Sequence, residues 1–226
     1  MVLLGGLIGR NCADRRSEIE MKPLKQQLRK FFIMGSQNCN RDPVQILEEA
    51  IEGGVTAFQF REKGEGSLSG EDKLELGKQL RSICRNHRIP FFINDDIDLV
   101  ELLDVDGIHV GQGDMSVKEI RKQFPDKVIG LSISNDQELK QSPIDLIDYV
   151  GAGAVFSTTT KEDAKNAVGL EWIQTLRNKY PTLPIVGIGG INSDNAQAVL
   201  EAGADGVSVI SAITQAKNIK KVVAEL

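Results

Sequence analysis

Eight short, largely apolar runs recur along the chain with helical patterns between them, and that alternation leaves few folds open. The runs are Phe31–Met34, Ala57–Phe60, Phe91–Asn94, Gly107–Val110, Val128–Ser132, Tyr149–Ala152, Ile185–Ile188 and Gly206–Ile210. Each is too short for a helix, and near-continuous apolar character is the mark of strands buried on both faces. No hairpin signal joins consecutive runs. Helix punctuation stands between them. Asp42-Pro43 is an N-cap followed by proline at the first helical position, and Glu52-Gly53-Gly54 closes that helix. Residues 69–87 read as a second helix. Residues 98–103 form a short one that Asp96 and Asp98 are expected to cap, and residues 135–141 another that stops at Ser142-Pro143.

Two segments nearly repeat. Glu52-Gly-Gly-Val-Thr-Ala-Phe-Gln-Phe60 resembles Glu201-Ala-Gly-Ala-Asp-Gly-Val-Ser-Val209, each running from a helix end into a strand, and Leu103-Asp-Val-Asp-Gly-Ile-His-Val110 is a looser copy. Eight strands alternating with helices over about 200 residues, with no long linker, predict an α/β chain folded as a single (β/α)8 TIM barrel. A doubly wound open sheet is the alternative.

Composition narrows the ligand classes. The 22 glycines and 5% aromatic content suit tight turns around aliphatic strands. A net charge of −5 argues against a nucleic-acid surface, so an anionic ligand has to be held by local groups. Cys12, Cys39 and Cys84 are scattered, with no CxxC, which indicates neither a disulfide framework nor a zinc site and suits a reducing cytoplasm. The apolar start, Met1 to Gly9, lacks a basic leader and is far shorter than the roughly 20 residues of a membrane span. No membrane association is expected. Residues 1–20 read as an extension outside the barrel domain, which is taken as 21–226; a homo-oligomer is left open.

In a barrel of this kind the loops after the carboxyl ends of the strands build the active site. After the second run, Gln59-Phe60-Arg61-Glu62-Lys63 places two cations at alternate positions. After the third and fourth stand Asn94-Asp95-Asp96 and His109-Val-Gly-Gln-Gly-Asp114, so neighbouring loops carry carboxylates. Mg²⁺ commonly takes one or two protein carboxylates together with water and substrate phosphate, which makes Asp95 and Asp114 sufficient anchors. His109 falls within a strand and reads as a barrel-lining histidine with a satisfied hydrogen bond. His87 reads as a cation near a helix end. After the sixth run, Gly151-Ala-Gly-Ala-Val-Phe-Ser-Thr-Thr-Thr-Lys161 offers hydroxyls, a cation and glycine-freed amides in a long loop suited to covering a phosphorylated substrate. Gly187-Ile-Gly-Gly-Ile191 and Val209-Ile-Ser-Ala-Ile213 lie where many barrels bind phosphate through backbone N–H groups.

Gln59–Lys63, Asn94-Asp95, Gly107–Asp114, Thr158–Lys161, Val186–Ile191 and Val209–Ile213, in this order and on these loops, together resemble the thiamine phosphate synthase family from about Phe31 onward. The resemblance implies joining of 4-amino-2-methyl-5-hydroxymethylpyrimidine diphosphate to a thiazole phosphate, carboxylated or not, with Mg²⁺ as cofactor and pyrophosphate released. It places Gln59, Phe60, Arg61, Glu62, Lys63, Asn94, Ser132 and Lys161 at the pyrimidine diphosphate. It places Thr158, Thr159, Thr160, Gly190, Ile210 and Ser211 at the thiazole phosphate, and Asp95 and Asp114 on the metal. Arg61, Lys63 and Lys161 would carry catalysis by stabilising leaving-group charge. The chain departs from the family pattern at Ser157, where proline is common, and at Ser134, where many members have histidine. A thiazole tautomerase would look to that histidine. A non-catalytic ligand-binding regulator could lose the metal site, whereas here both carboxylates and every proposed cation are kept; no feature supports another phosphate-binding barrel such as an epimerase or an aldolase, and the latter would want a strand-borne Schiff-base lysine, of which none stands out.

Overall fold

The computed structural model describes residues 22–158, 160 and 167–226. Its strands are β1 (Lys30–Met34), β2 (Ala57–Phe60), β3 (Phe91–Asn94), β4 (Gly107–Val110), β5 (Val128–Ile133), β6 (Tyr149–Gly153), β7 (Ile185–Ile188) and β8 (Gly206–Val209). Each pairs in parallel with its sequence neighbours, and β8 returns to β1 through Phe31↔Ser208, so the sheet closes. Closure excludes the open-sheet alternative: the fold is a (β/α)8 barrel. Helices α1 (Leu24–Gln27), α2 (Pro43–Glu52), α3 (Gly70–His87), α4 (Leu99–Leu102), α5 (Val117–Gln123), α6 (Asp136–Gln141), α7 (Gly169–Lys179), α8 (Ala196–Glu201), α9 (Ser211–Thr214) and α10 (Ile219–Glu225) complete it. The expected extension at residues 1–20 lies outside the described residues.

Local chemistry explains the helix limits. The Asp42 carboxylate accepts from Val44 N at 3.0 Å, Pro43 occupies the first turn, and α2 buries Ile46, Leu47 and Ala50 against the barrel. Asn135 caps α6 through Glu138 N, and Ser116 caps α5 through Glu119 N. One expectation fails. Neither Asp96 nor Asp98 caps α4 with its side chain: Asp98 sits at the N-cap without such a bond, and the Asp96 carboxylate pairs instead with the Lys73 ammonium of α3. An ion pair to a half-buried lysine outcompetes a single backbone N–H at a four-residue helix.

The near-repeats have a structural cause at the amino ends of the strands. Gly54 and Gly203, aligned in the repeat, take φ of +103° and +113°, and Asp104 holds the matching position of the looser copy at φ +47°. Two residues on, Thr56, Asp106 and Asp205 each turn a side-chain oxygen onto the first N–H of the preceding strand. These bonds join Lys30 N to Thr56, Phe91 N to Asp106 and Ile185 N to Asp205, at 2.8–2.9 Å. Asp148 does likewise one residue into β5, accepting from Ile129 N at 2.7 Å. A barrel of four paired strand units thus carries one strand-end cap per unit. In three of them an arginine from the helix before the odd strand locks the aspartate: Arg81 on Asp106, Arg121 on Asp148 and Arg177 on Asp205. Arg177 also donates to the carbonyls of Gly203, Tyr180, Pro181 and Leu183.

Conservation of geometry at this end serves stability, because the chemistry of such barrels lies at the other end. Replacing Arg177 with methionine keeps the aliphatic stem and leaves Asp205 and four carbonyls short of a donor. The expected result is a loss of about 2–4 kcal/mol of unfolding free energy in urea, with KM values unchanged. A loss under about 0.5 kcal/mol would show that the clamp does not hold the barrel floor.

Candidate active site at the carboxyl end of the barrel

Strands this short turn few side chains inward. The lower positions hold Phe31, Ala57, Phe92, Tyr149 and Val186, a closed apolar cluster in which Phe92 meets Phe31 and Tyr149 at ring separations of 5.0 and 5.9 Å. Two residues further along their strands, the alternation brings Gln59, Asn94, His109, Ser132 and Ser208 to the upper interior. Above them opens a cleft of about 860 Å³, within the size range of small-molecule sites. Gln59 is 1% exposed, and neither atom of its amide has a hydrogen-bond partner among the described residues. A buried amide left unsatisfied costs about 1–3 kcal/mol, a cost that a bound ligand with matching polar atoms would relieve.

On one side of the cleft lies a charge cluster. The Lys63 ammonium is hydrogen-bonded to Asp95 and stands 3.4 Å from Asp114 Oδ1. Asp114 is held by Gly111 N, which donates to its Oδ2 at 2.7 Å, and Asp95 by its own N–H on the His109 carbonyl at 2.9 Å. Asp95 adopts φ +47°, so the turn after β3 aims its carboxylate at the neighbouring loop. Burial pushes the Asp95 carboxyl above its ordinary pKa, and the charge of Asp114 adds to that; Lys63 and Arg61 oppose it. The hydrogen bond to Asp95 raises Lys63 in turn. Among the described residues no three His, Cys, Asp or Glu side chains gather at one point. Mg²⁺ does not need three, since water and phosphate complete its octahedron, and two carboxylates already sharing one cation fit it.

The opposite wall, among the described residues, is uncharged and rich in hydroxyls. Thr158 Oγ1 lies 3.2 Å from Thr160 Oγ1, which lies 3.1 Å from Ser211 Oγ. Gly190 lines the same wall at φ +65°, where a Cβ would come within 2.7 Å of the Ser157 carbonyl. Ile210, at the start of α9, and Ser211 complete it. Of the residues expected at the site, Lys63, Asp114, Ser132, Thr158, Thr160, Gly190, Ile210 and Ser211 therefore border one cleft. Arg61 is buried at the end of β2, near enough to Asp95 for its charge to act there. Asn94 ends β3 opposite His109.

Two expected residues hold structure as well. The Phe60 ring is wholly buried in the layer between strands and helices against Phe91, so only its backbone could meet a ligand. The Glu62 carboxylate ties the first two loops together by accepting from Ser36 N, Ser36 Oγ and Leu68 N. Thr159 and Lys161 lie outside the described residues. Residues not anticipated include Gln112, whose amide donates to the Ser132 carbonyl at 2.8 Å, and Ser208 on the floor of the cleft. His109 has its hydrogen bonds as expected, but their partners, Ser132 and Tyr149, were not foreseen.

The raised pKa of Asp95 carries a stability sign. The folded chain holds that proton more tightly than the unfolded chain, so ionised Asp95 costs stability above its folded pKa, and the cost is relieved as pH falls through it. Asparagine removes the charge and tolerates φ +47°. Asp95→Asn should therefore leave thermal stability at pH 7 unchanged or slightly higher, while impairing function. A drop of more than about 2 kcal/mol in unfolding free energy would instead make the Lys63–Asp95 pair a structural tie.

Comparison with known proteins agrees with this geometry. Residues 30–213 match the model of the family described as thiamine monophosphate synthase. The thiamine-phosphate synthase of Oceanobacillus iheyensis is 61% identical over 206 residues, covering 91% of this chain and 100% of that protein. Thiamine-phosphate synthase 1 of Streptococcus pneumoniae is 48% identical over 89% of this chain and 97% of its own. Among solved structures, the thiamine phosphate pyrophosphorylase of Pyrococcus furiosus superposes with a TM-score of 0.80 at 34% identity, covering 90% of this chain and 96% of that one. A family match over most of the barrel, joined to a cleft that sets a carboxylate-held cation opposite a hydroxyl wall, places this chain in the thiamine monophosphate synthase family.

Proposed function

We propose that the chain couples 4-amino-2-methyl-5-hydroxymethylpyrimidine diphosphate to a thiazole phosphate, plain or carboxylated, and releases thiamine phosphate and pyrophosphate. The observation that carries this reading is the division of one cleft into a Lys63–Asp95–Asp114 cluster and a Thr158–Thr160–Ser211 wall, which suits one diphosphate and one monophosphate. Asp95 and Asp114 would hold Mg²⁺, which when bound supplies positive charge against the departing pyrophosphate. Family membership and two small phosphorylated substrates place the work in thiamine biosynthesis. No helix among the described residues is long and apolar enough to cross a membrane; a cytoplasmic location belongs to this proposal. A homo-oligomer is compatible with this site.

The protein's own task is to stabilise charge and hold two reactants in line. Breaking the bond from the methylene carbon to the diphosphate oxygen leaves a cation that the aminopyrimidine stabilises, and the thiazole nitrogen then donates its lone pair to that carbon. Arg61 and Lys63 offset the charge gathering on the leaving diphosphate, with Lys161 as the third cation of this reading. The Gln59 amide, unpartnered among the described residues, and Asn94 would orient the pyrimidine from below, and Phe60 and Glu62 would shape that side through backbone and loop. Thr158, Thr159, Thr160, Gly190, Ile210 and Ser211 would seat the thiazole phosphate. Alignment of the two reactants supplies the remaining acceleration. No step needs a strong base, and none of these residues is one.

The test is direct. Purified protein with both substrates and Mg²⁺ should form thiamine phosphate and pyrophosphate in equal amounts, and EDTA should stop it. Arg61→Ala and Lys63→Ala should each lower kcat about 10²- to 10³-fold. Asp95→Ala and Asp114→Ala should raise the Mg²⁺ concentration needed for half-maximal rate. Absence of product at saturating substrates would overturn the proposal, and undiminished turnover in EDTA would remove the metal from it.

A further inference from the structure

Beneath the cleft, a chain of hydrogen bonds runs from the barrel floor to the active site. Tyr149 Oη lies 2.8 Å from His109 Nδ1, and His109 Nε2 lies 2.9 Å from Ser132 Oγ. The two rings lie 5.5 Å apart at 33°. Space for them is built into the neighbouring strands. A Cβ on Gly130 would fall 2.1 Å from Tyr149 Cζ, and one on Gly151 would fall 2.9 Å from His109 Cε1. Side chains at these two inward positions would expel the relay. Tyr149 is 1% exposed, and its ring belongs to the apolar floor cluster, whereas Ser132 borders the cleft.

The direction of these bonds follows from proton counting. Burial raises the Tyr149 phenol well above its ordinary pKa, so it keeps its proton. Among the described residues its hydrogen-bond partner is His109 Nδ1. The phenol therefore donates, Nδ1 accepts, and the imidazole carries its proton on Nε2. Nε2–H then donates to Ser132 Oγ. A hydroxyl that accepts from below has its own proton free to turn upward. The opposite tautomer would bury the phenolic hydrogen without an acceptor and spend the serine proton on the histidine.

We propose that Tyr149 and His109 are positioning residues that fix the Ser132 hydroxyl as a hydrogen-bond donor into the cleft, directed at an acceptor ring nitrogen of the pyrimidine substrate. The last step rests on the assignment of Ser132 to that substrate under the proposed function. The relay itself rests only on the geometry beneath. It acts on recognition of one reactant, because the thiazole phosphate meets the opposite wall.

The tautomer can be read on the unaltered protein by ¹⁵N NMR of its imidazoles. The chain has two histidines, and a His87→Gln variant, at the exposed end of α3, identifies the His109 signals. The relay predicts a protonated Nε2 and an unprotonated Nδ1 at neutral pH. An Nδ1–H tautomer would overturn it. Tyr149→Phe should erase that preference and raise KM for the pyrimidine diphosphate about tenfold, with KM for the thiazole phosphate unchanged. Equal rises in both constants, or in neither, would overturn the positioning role. Ser132→Ala separates the two layers of the claim: an unchanged pyrimidine diphosphate KM would defeat the assignment of Ser132 to that substrate, whatever tautomer His109 shows.

Discussion

Closing eight strands of four to six residues into a barrel allows each strand only two or three inward side chains, and the rest of the molecule is organised around that scarcity. The lower inward positions form a floor of Phe31, Phe92 and Tyr149 rings. Above it, Gln59, Asn94, His109, Ser132 and Ser208 make the upper interior beneath the cleft largely polar. Because the outward residues are equally buried under helices, the strands read as apolar on both faces and cannot slip without breaking both layers. The side-chain caps on the strand starts, three of them locked by Arg81, Arg121 and Arg177, fix the register at the floor. With the register held there, the polar upper layer is left to meet a ligand.

That division of labour explains the electrostatics of the mouth. Asp95, Asp114, Lys63 and Arg61 come from three different loops, and only a rigid barrel keeps the two carboxylates close while burial penalises the charge of Asp95. Lys63 relieves the repulsion by sharing its ammonium between them. In the proposed reaction the same cations meet the diphosphate, so the group that stabilises the cluster also serves the leaving group. The hydroxyls of Thr158, Thr160 and Ser211 on the other wall carry no charge and present no such tension among themselves.

Much of this was legible in the residues. All eight strands lie within a residue or so of their apolar runs, and the near-repeats reported real equivalence, with Gly54, Asp104 and Gly203 in the same left-handed turn. The carboxylate pair was legible because two acidic loops followed consecutive strands. What escaped was pairing in space. Inward and outward positions of a doubly buried strand look alike in sequence, so Phe60 could not be told from Gln59 in role, nor Tyr149 be linked to His109 and Ser132. Asp96 looked like a helix cap because its partner Lys73 is distant in sequence. Glu62 shared a charged loop with Arg61 and Lys63, yet its carboxylate is committed to backbone and hydroxyl donors on two loops.

The central claim is that the Asp95–Asp114 pair, now bridged by Lys63, is the seat of the metal that holds the leaving diphosphate. A crystal grown with Mn²⁺ and pyrophosphate tests it most directly through anomalous scattering. The account predicts one strong peak within about 2.3 Å of oxygens from both Asp95 and Asp114, with pyrophosphate completing its shell and the Lys63 ammonium moved from the carboxylates to the phosphate oxygens. A pyrophosphate bound in the cleft with no metal between those two carboxylates would contradict it.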